Sequence, residues 1–416
     1  MEKTLLIIIL VIITVEFVFE RLLSFLNTTR WSNVLPEELR GIYDDEKYRQ
    51  SQDYSRINMR FGLITSTVSF LLIVSLLLFG AFGWLDLWVR QFTTQPVLMA
   101  MLFFAIIGLI SDLISTPFDV YDTFVIENKF GFNRTKPATY ILDKLKGWML
   151  AIILGGALLA VFVWFFNVAG GLFWLYAWMF FTAFSLFMAM FYSTLIVPLF
   201  NKQTPLEPGE LRDAIETLAR KANFSLDNVF VIDGSKRSSK ANAYFSGLGP
   251  KKRIVLFDTL IKDHTLNEVV AVLAHEIGHY KKRHTLKGMV MSVLTSGLML
   301  FLLGIFINRP ELSMALGGKQ ASFHLGIFAF GLLYAPFSMM LGILSNKISR
   351  KFEYEADAYA AALFDSKSLQ EALKKLSVRN LSNLRPHPAY EFVNYSHPTL
   401  LKRLEQLKKM EKHGDQ

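Results

Sequence analysis

The chain has 416 residues, 52% of them apolar and only 19% charged, and it carries 37 phenylalanines. With a positive mean hydropathy, this composition excludes an ordinary soluble protein and predicts several membrane crossings. The lack of cysteine excludes disulfides, a thiolate nucleophile and a cysteine-ligated metal, and the formal charge of +9 fits basic cytoplasmic loops rather than nucleic-acid binding.

Residues 4–25 make the first predicted span, apolar apart from Glu16, Glu20 and Arg21, which belong against other helices, a wet interior or the interface. The stretch is longer than a signal-peptide core and has no small-residue cleavage site, so it reads as a retained span. Residues 27–60 are polar, a loop region with helical stretches. The second and third spans, 61–85 and 97–114, are joined through Pro96, and 118–136 follow as an exposed loop. Spans four and five, 148–168 and 172–196, form a hairpin across Ala169-Gly170-Gly171.

From 201 to 284 the composition is that of a soluble domain. An amphipathic helix ending near Ala222 presents Leu211, Ile215, Leu218 and Ala219 on one face. Short strands are predicted at 229–233 and 253–257, with a polar loop and a third extended piece, 241–247, between them. Spans six and seven, 286–307 and 323–344, flank a turn at Arg309-Pro310. An acidic run, a helix near 369–376 and a basic helix from 399 to about 412 complete the chain. The division is therefore 1–200 for spans one to five, 201–284 for the soluble domain, 285–345 for spans six and seven, and 346–416 for its C-terminal part. Lys and Arg concentrate on the side holding 27–60, 118–146, the soluble insert and the C-terminus, which the positive-inside rule puts in the cytosol.

The chemistry centres on Ala271-Val-Leu-Ala-His275-Glu276-Ile-Gly-His279. Four residues apart on a helix, His275 and His279 share a face and can meet one cation, leaving Glu276 as a base. Thr265-Leu-Asn-Glu268 fits a capping box at the start of that helix. The sixth span begins within two residues of His284, so the metal lies at the membrane edge. Catalytic zinc usually takes three protein ligands, and the candidates for the third are His284, Glu353, Glu355, Asp357, His387 and His397. Glu353 and Asp357 share a helical face just past the seventh span, and Glu355 points roughly the other way. One of that pair ligates and the other hydrogen-bonds a ligand imidazole; spacing does not decide which.

Four ordered motifs, His275-Glu-Ile-Gly-His279, Glu353-Tyr-Glu-Ala-Asp357, Asn242-Ala-Tyr-Phe245 and His397-Pro-Thr-Leu-Leu-Lys-Arg403, resemble the type I CaaX prenyl protease family of integral-membrane zinc metalloproteases, and the layout of seven predicted spans matches over essentially the whole chain. The resemblance implies a mostly α polytopic fold, seven transmembrane helices around a water-filled chamber, with a small α+β protease domain at the membrane edge. It implies one zinc ion per chain with Glu353 as third ligand, and Asp357 supporting a ligand histidine. Asn242 and Ala243 would lie on the strand that pairs with substrate. His397 and Arg403 would contact the scissile region, the imidazole stabilising the oxyanion while Glu276 handles the proton. The implied partners are membrane lipid and a peptide or protein with a prenylated C-terminus. The terminal His413-Gly-Asp-Gln416 carries no retention signal, so a bacterial inner membrane and an endoplasmic reticulum membrane are both expected settings. Two rivals remain: a quality-control protease without a lipid requirement, and a metal-stabilised channel or binding protein, against which the Glu276 carboxylate argues.

Overall fold

A computed structural model describes residues 2–224, 229–246 and 253–414. Gly247, at the end of the third extended piece, and the terminal Asp415 and Gln416 lie outside them. Inside lipid every backbone polar group must be satisfied within its own segment, so the apolar runs become helices. They are α1 (Glu2–Thr28), α2 (Asp45–Leu78), α3 (Ala81–Val89), α4 (Pro96–Tyr121), α5 (Pro137–Leu150), α6 (Gly156–Ala169), α7 (Phe173–Leu195) and α8 (Val197–Phe200). Among the described residues five helical stretches are long and apolar enough to cross a membrane: Asp45–Leu78, Pro96–Glu127, Pro137–Phe200, His284–Phe306 and Phe323–Leu363. The third folds back on itself where Gly170 takes a φ of 53°, a conformation only glycine adopts without strain.

Three boundaries differ from expectation. The second predicted span ends at Leu78, because Gly80 turns the chain at φ 64° and the apolar residues after it form the separate helix α3. The loop predicted at 118–136 is largely helical, since α4 runs through Pro117 and continues as a π-helical turn, Asp122–Glu127. Its charges are not a solvated loop's: Glu127 accepts from the Lys240 ammonium at 2.8 Å and from the Tyr54 hydroxyl. The helix that carries the seventh span continues past residue 344 as a polar arm to Leu363, as no glycine or proline interrupts it beyond Gly342.

The soluble domain follows as β1 (Gln203–Pro205), α9 (Glu210–Lys221), β2 (Val229–Ile232), β3 (Ala243–Ser246), β4 (Arg253–Phe257), α10 (Asp258–Asp263) and α11 (Leu266–Lys281). Then come α12 (His284–Phe306), α13 (Pro310–Ala315), the 41-residue α14 (Phe323–Leu363), α15 (Ser366–Arg379), α16 (Pro388–Asn394) and α17 (Leu400–Gly414). The sheet order is β1-β2-β4-β3, with only β2 and β4 parallel. Among the described residues β3 is therefore an edge strand. The predicted face of α9 is buried at Ile215 and Leu218, each contributing roughly 1.5–3 kcal/mol by leaving water. They join a core with Ile254, Leu256, Leu273, Ile277, Leu369 and Leu407, so segments from both sides of α12 and α14 close one domain.

That domain is fastened to the membrane helices. Arg237 donates to both carboxylate oxygens of Asp143 on α5, at 2.7 and 2.8 Å, and to the Phe200 carbonyl at 2.8 Å. Planar guanidinium against carboxylate makes such a pair directional as well as charged. The site is thereby held in register with the membrane helices.

Candidate metal centre

Helix α11 starts at the predicted capping box, in which Thr265 accepts from the Glu268 N–H and the Glu268 carboxylate accepts from the Thr265 N–H. The helix packs on α14 at Gly278, where a Cβ would sit 3.1 Å from the Ala356 Cα. A side chain there would push the helices apart by a few tenths of an ångström, and the close approach brings the histidines of one helix against the carboxylates of the other. His275 and His279 present Nε2 atoms 3.1 Å apart, and Glu353 stands 3.5 Å from the first and 3.3 Å from the second. Ligands about 2.0–2.1 Å from a tetrahedral zinc are separated by about 3.3 Å, so this trio has the spacing such an ion requires.

The electrostatics agree. Burial alone would lower the His275 pKa, but hydrogen bonds to Asp357 and Glu353 outweigh it and lift it to about 9. The surroundings thus favour positive charge, as a cation site must. Asp357, fully buried, stands 2.9 Å from His275 Nδ1 and accepts from Arg403 Nη2 at 2.6 Å and Nε at 2.8 Å. Arg403 also reaches Glu353, at 3.5 Å. His397 lies 3.3 Å from Glu353 with 63% of its side chain exposed. Burial pushes the Glu276 carboxyl pKa up.

A cavity of about 340 Å³ is lined by His275, Glu276, His279, Glu353, His397, Arg403, Asn242 and Ala243, with Asp357 behind it. The residues that the resemblance assigned to the site are thus brought to one place. The remaining ligand candidates are not. His387 accepts from the Ala389 N–H at the start of α16, while His284 and Glu355 lie behind His279 and hydrogen-bond each other at 2.9 Å. Sequence reasoning had no partner for Arg403, because a tail arginine gives no local sign of an aspartate 46 positions earlier.

Residues 25–202 match the family described as CAAX prenyl protease N-terminal, five membrane helices, and residues 205–411 match peptidase family M48. A CAAX prenyl protease 1 homolog from Arabidopsis thaliana is 35% identical, with 96% of this chain and 97% of that one covered. CAAX prenyl protease 1 from Saccharomyces cerevisiae is 34% identical, over 94% of this chain and 92% of its own. The chain belongs to the CAAX prenyl protease 1 family of M48 peptidases. It is a membrane metalloprotease. The crystal structure of S. mikatae Ste24p superposes with a TM-score of 0.92 at 33% identity, covering 97% of this chain and 99% of that one. The fold is accordingly mostly helical and Ste24p-like, and the reading of the chain as a non-catalytic channel or binding protein is set aside.

Proposed function

We propose that this protease uses zinc, one ion per chain, to hydrolyse a peptide bond near the prenylated C-terminus of a CaaX-type protein. The observation that carries the reading is the convergence, in one cavity, of a three-ligand set, the Glu276 carboxyl and a strand at the sheet edge. His275, His279 and Glu353 would hold the zinc ion, which would supply Lewis acidity toward a carbonyl oxygen and water. Glu276 takes a proton from the attacking water and returns it to the departing amine. The exposed imidazole of His397 donates to the developing oxyanion. Asp357 fixes the orientation of His275, and Arg403 holds Asp357 while facing the scissile region from the cavity wall.

The edge strand supports a peptide substrate. The Asn242 carbonyl accepts from the Phe257 N–H at 3.1 Å, while Ala243 stands opposite Leu256. Ala243 is therefore in a non-hydrogen-bonded pair, with its own N–H and C=O turned away from β4. An extended peptide can add to that edge, as in other strand-addition complexes. The Asn242 side chain now accepts from the Ala243 N–H at 2.8 Å and is positioned to yield it. Leu260, Val272, Leu369, Leu373 and Leu376 make the rest of the wall, an aliphatic surface suited to the two aliphatic positions of a CaaX sequence.

Counting α1 and both arms of 137–200 gives seven crossings, which we read as enclosing a wet chamber that takes the lipid. Support for water comes from Lys144, paired with Asp112 at 3.0 Å, and support for a lipid from a largely apolar cavity of about 880 Å³ bounded by α2, α3 and α4. Charges at such depth need water or partners. The Lys/Arg bias puts the protease domain and C-terminus in the cytosol, with the protein in a bacterial inner membrane or the endoplasmic reticulum.

The test is cleavage of matched farnesylated and unmodified CaaX peptides by the purified protein in detergent, with and without chelator. The farnesylated peptide is cleaved, chelator abolishes cleavage, and added zinc restores it. Equal cleavage of both peptides favours a lipid-independent quality-control protease. Cleavage that survives chelation overturns the mechanism.

A further inference from the structure

We propose that His284 and Glu355 form a hydrogen-bonded chain that fixes the orientation of His279 and thereby sets how tightly the site holds its divalent cation. The proposal rests on the metal-centre reading above. His275 has a carboxylate directly behind its ring, whereas His279 has another imidazole: His284 Nδ1 stands 3.1 Å from His279 Nδ1. Behind that, His284 Nε2 is 2.9 Å from a Glu355 carboxylate oxygen. The His284 ring is nearly inaccessible and stacks flat on Phe352, with centroids 4.1 Å apart and planes at 7°.

The polarity of the chain follows from the ligand. A neutral imidazole has one N–H and one acceptor nitrogen. With Nε2 of His279 turned to the cation, its proton sits on Nδ1 and is donated to Nδ1 of His284. His284 then carries its own proton on Nε2, where the Glu355 carboxylate accepts it. Each group has one arrangement, and the ring of His279 is held from behind as His275 is held by Asp357.

The backbone is bent to achieve this. Residues five apart do not share a face of a continuous helix. Arg283, between α11 and α12, adopts φ 58°, a left-handed conformation that strains a residue with a Cβ. That break swings His284 back beneath His279, and strain kept at such a point indicates a geometric requirement.

The test uses full-length protein in detergent, carrying His284→Phe, which keeps a ring on Phe352 but removes both nitrogens, or Glu355→Gln, which keeps an acceptor but removes the charge. Zinc release to excess chromogenic chelator and the Tm of the metal-free protein are both measured. His284→Phe should release zinc about 10–100-fold faster, Glu355→Gln should fall between it and the parent, and neither should change the metal-free Tm appreciably. Release at the parental rate from both variants overturns the proposal, as does faster release matched by an equal loss of metal-free stability. If the parent itself binds no zinc, the metal-centre reading falls and this proposal with it; a zinc-binding parent with unaffected variants sinks this proposal alone.

Discussion

Among the described residues two clusters are made of the same three side chains, an aspartate, an arginine and a histidine, and one of them borders the cavity described above. At the metal centre Asp357 joins Arg403 to His275. Near the start of α14, Asp86 joins Arg90, at 2.9 Å, to His324, at 2.6 Å, and Ser322 hydrogen-bonds both Asp86 and Arg90. His324 and Glu353 lie on the same helix, about 44 Å apart along its axis. In the far cluster Asp86 and His324 are almost completely buried, and α3 is pressed so close that a Cβ on Gly83 would sit 2.0 Å from the Gly317 carbonyl oxygen. That cluster is a clamp between α3 and the start of α14. The metal centre differs by having His279, Glu353 and Glu276 turned to a shared accessible space. Buried charge gives rigidity, and chemistry needs surplus donors facing a volume a ligand can enter.

The sharpest way to separate the two clusters is Glu276→Gln, which removes the proposed base and leaves the proposed ligands His275, His279 and Glu353 in place. Turnover should fall about 10²–10⁴-fold, with zinc content by elemental analysis equal to that of the parent. Undiminished cleavage would remove Glu276 from the mechanism. Asp86→Ala is its converse. Stripping one partner from a buried charged pair costs about 3–5 kcal/mol, so Tm should drop clearly while zinc affinity and turnover per folded molecule hold. Weakened zinc binding in that variant would mean that the clamp and the site are one coupled unit. Asp357→Asn sits between these cases: it keeps an oxygen for His275 but loses charge, and zinc affinity by chelator competition should fall about 10–100-fold.

The contrast also explains what could be read from the sequence. His275, Glu276 and His279 were legible because ligand spacing on one helix is local, and Thr265 with Glu268 marked where that helix begins. Glu353 and Asp357 were legible as a pair but not in role, since their assignment depends on how α14 crosses α11 at Gly278. Glu355 does point away from His275 and Glu353, as its position suggested, but toward His284, and the trace of that link in the sequence was a histidine five residues beyond His279. The helix was misread where charge entered an apolar run: Asp119 and Asp122 looked like a loop because polarity was taken for solvation. Asp86 and His324 carried no signal, being 238 positions apart.

The smallest expected effect tests the helix crossing itself. A Cβ at Gly278 would meet the Ala356 Cα and carbonyl oxygen at 3.1 Å and the Tyr359 Cβ at 3.2 Å. Two of these are backbone atoms and the third is fixed to it, so none yields by rotation, and α11 must move away from α14 by a few tenths of an ångström. Overpacking of this kind costs about 1–3 kcal/mol, and because His279 rides on α11 and Glu353 on α14, Gly278→Ala should loosen zinc as well as lower Tm. Gly288 on α12 has nothing within 4 Å of its built Cβ, and alanine there should be neutral or stabilising by up to about 1 kcal/mol. If Gly278→Ala lowers Tm but leaves zinc affinity at the Gly288→Ala level, the crossing is a packing feature only, and the ligand spacing is set elsewhere.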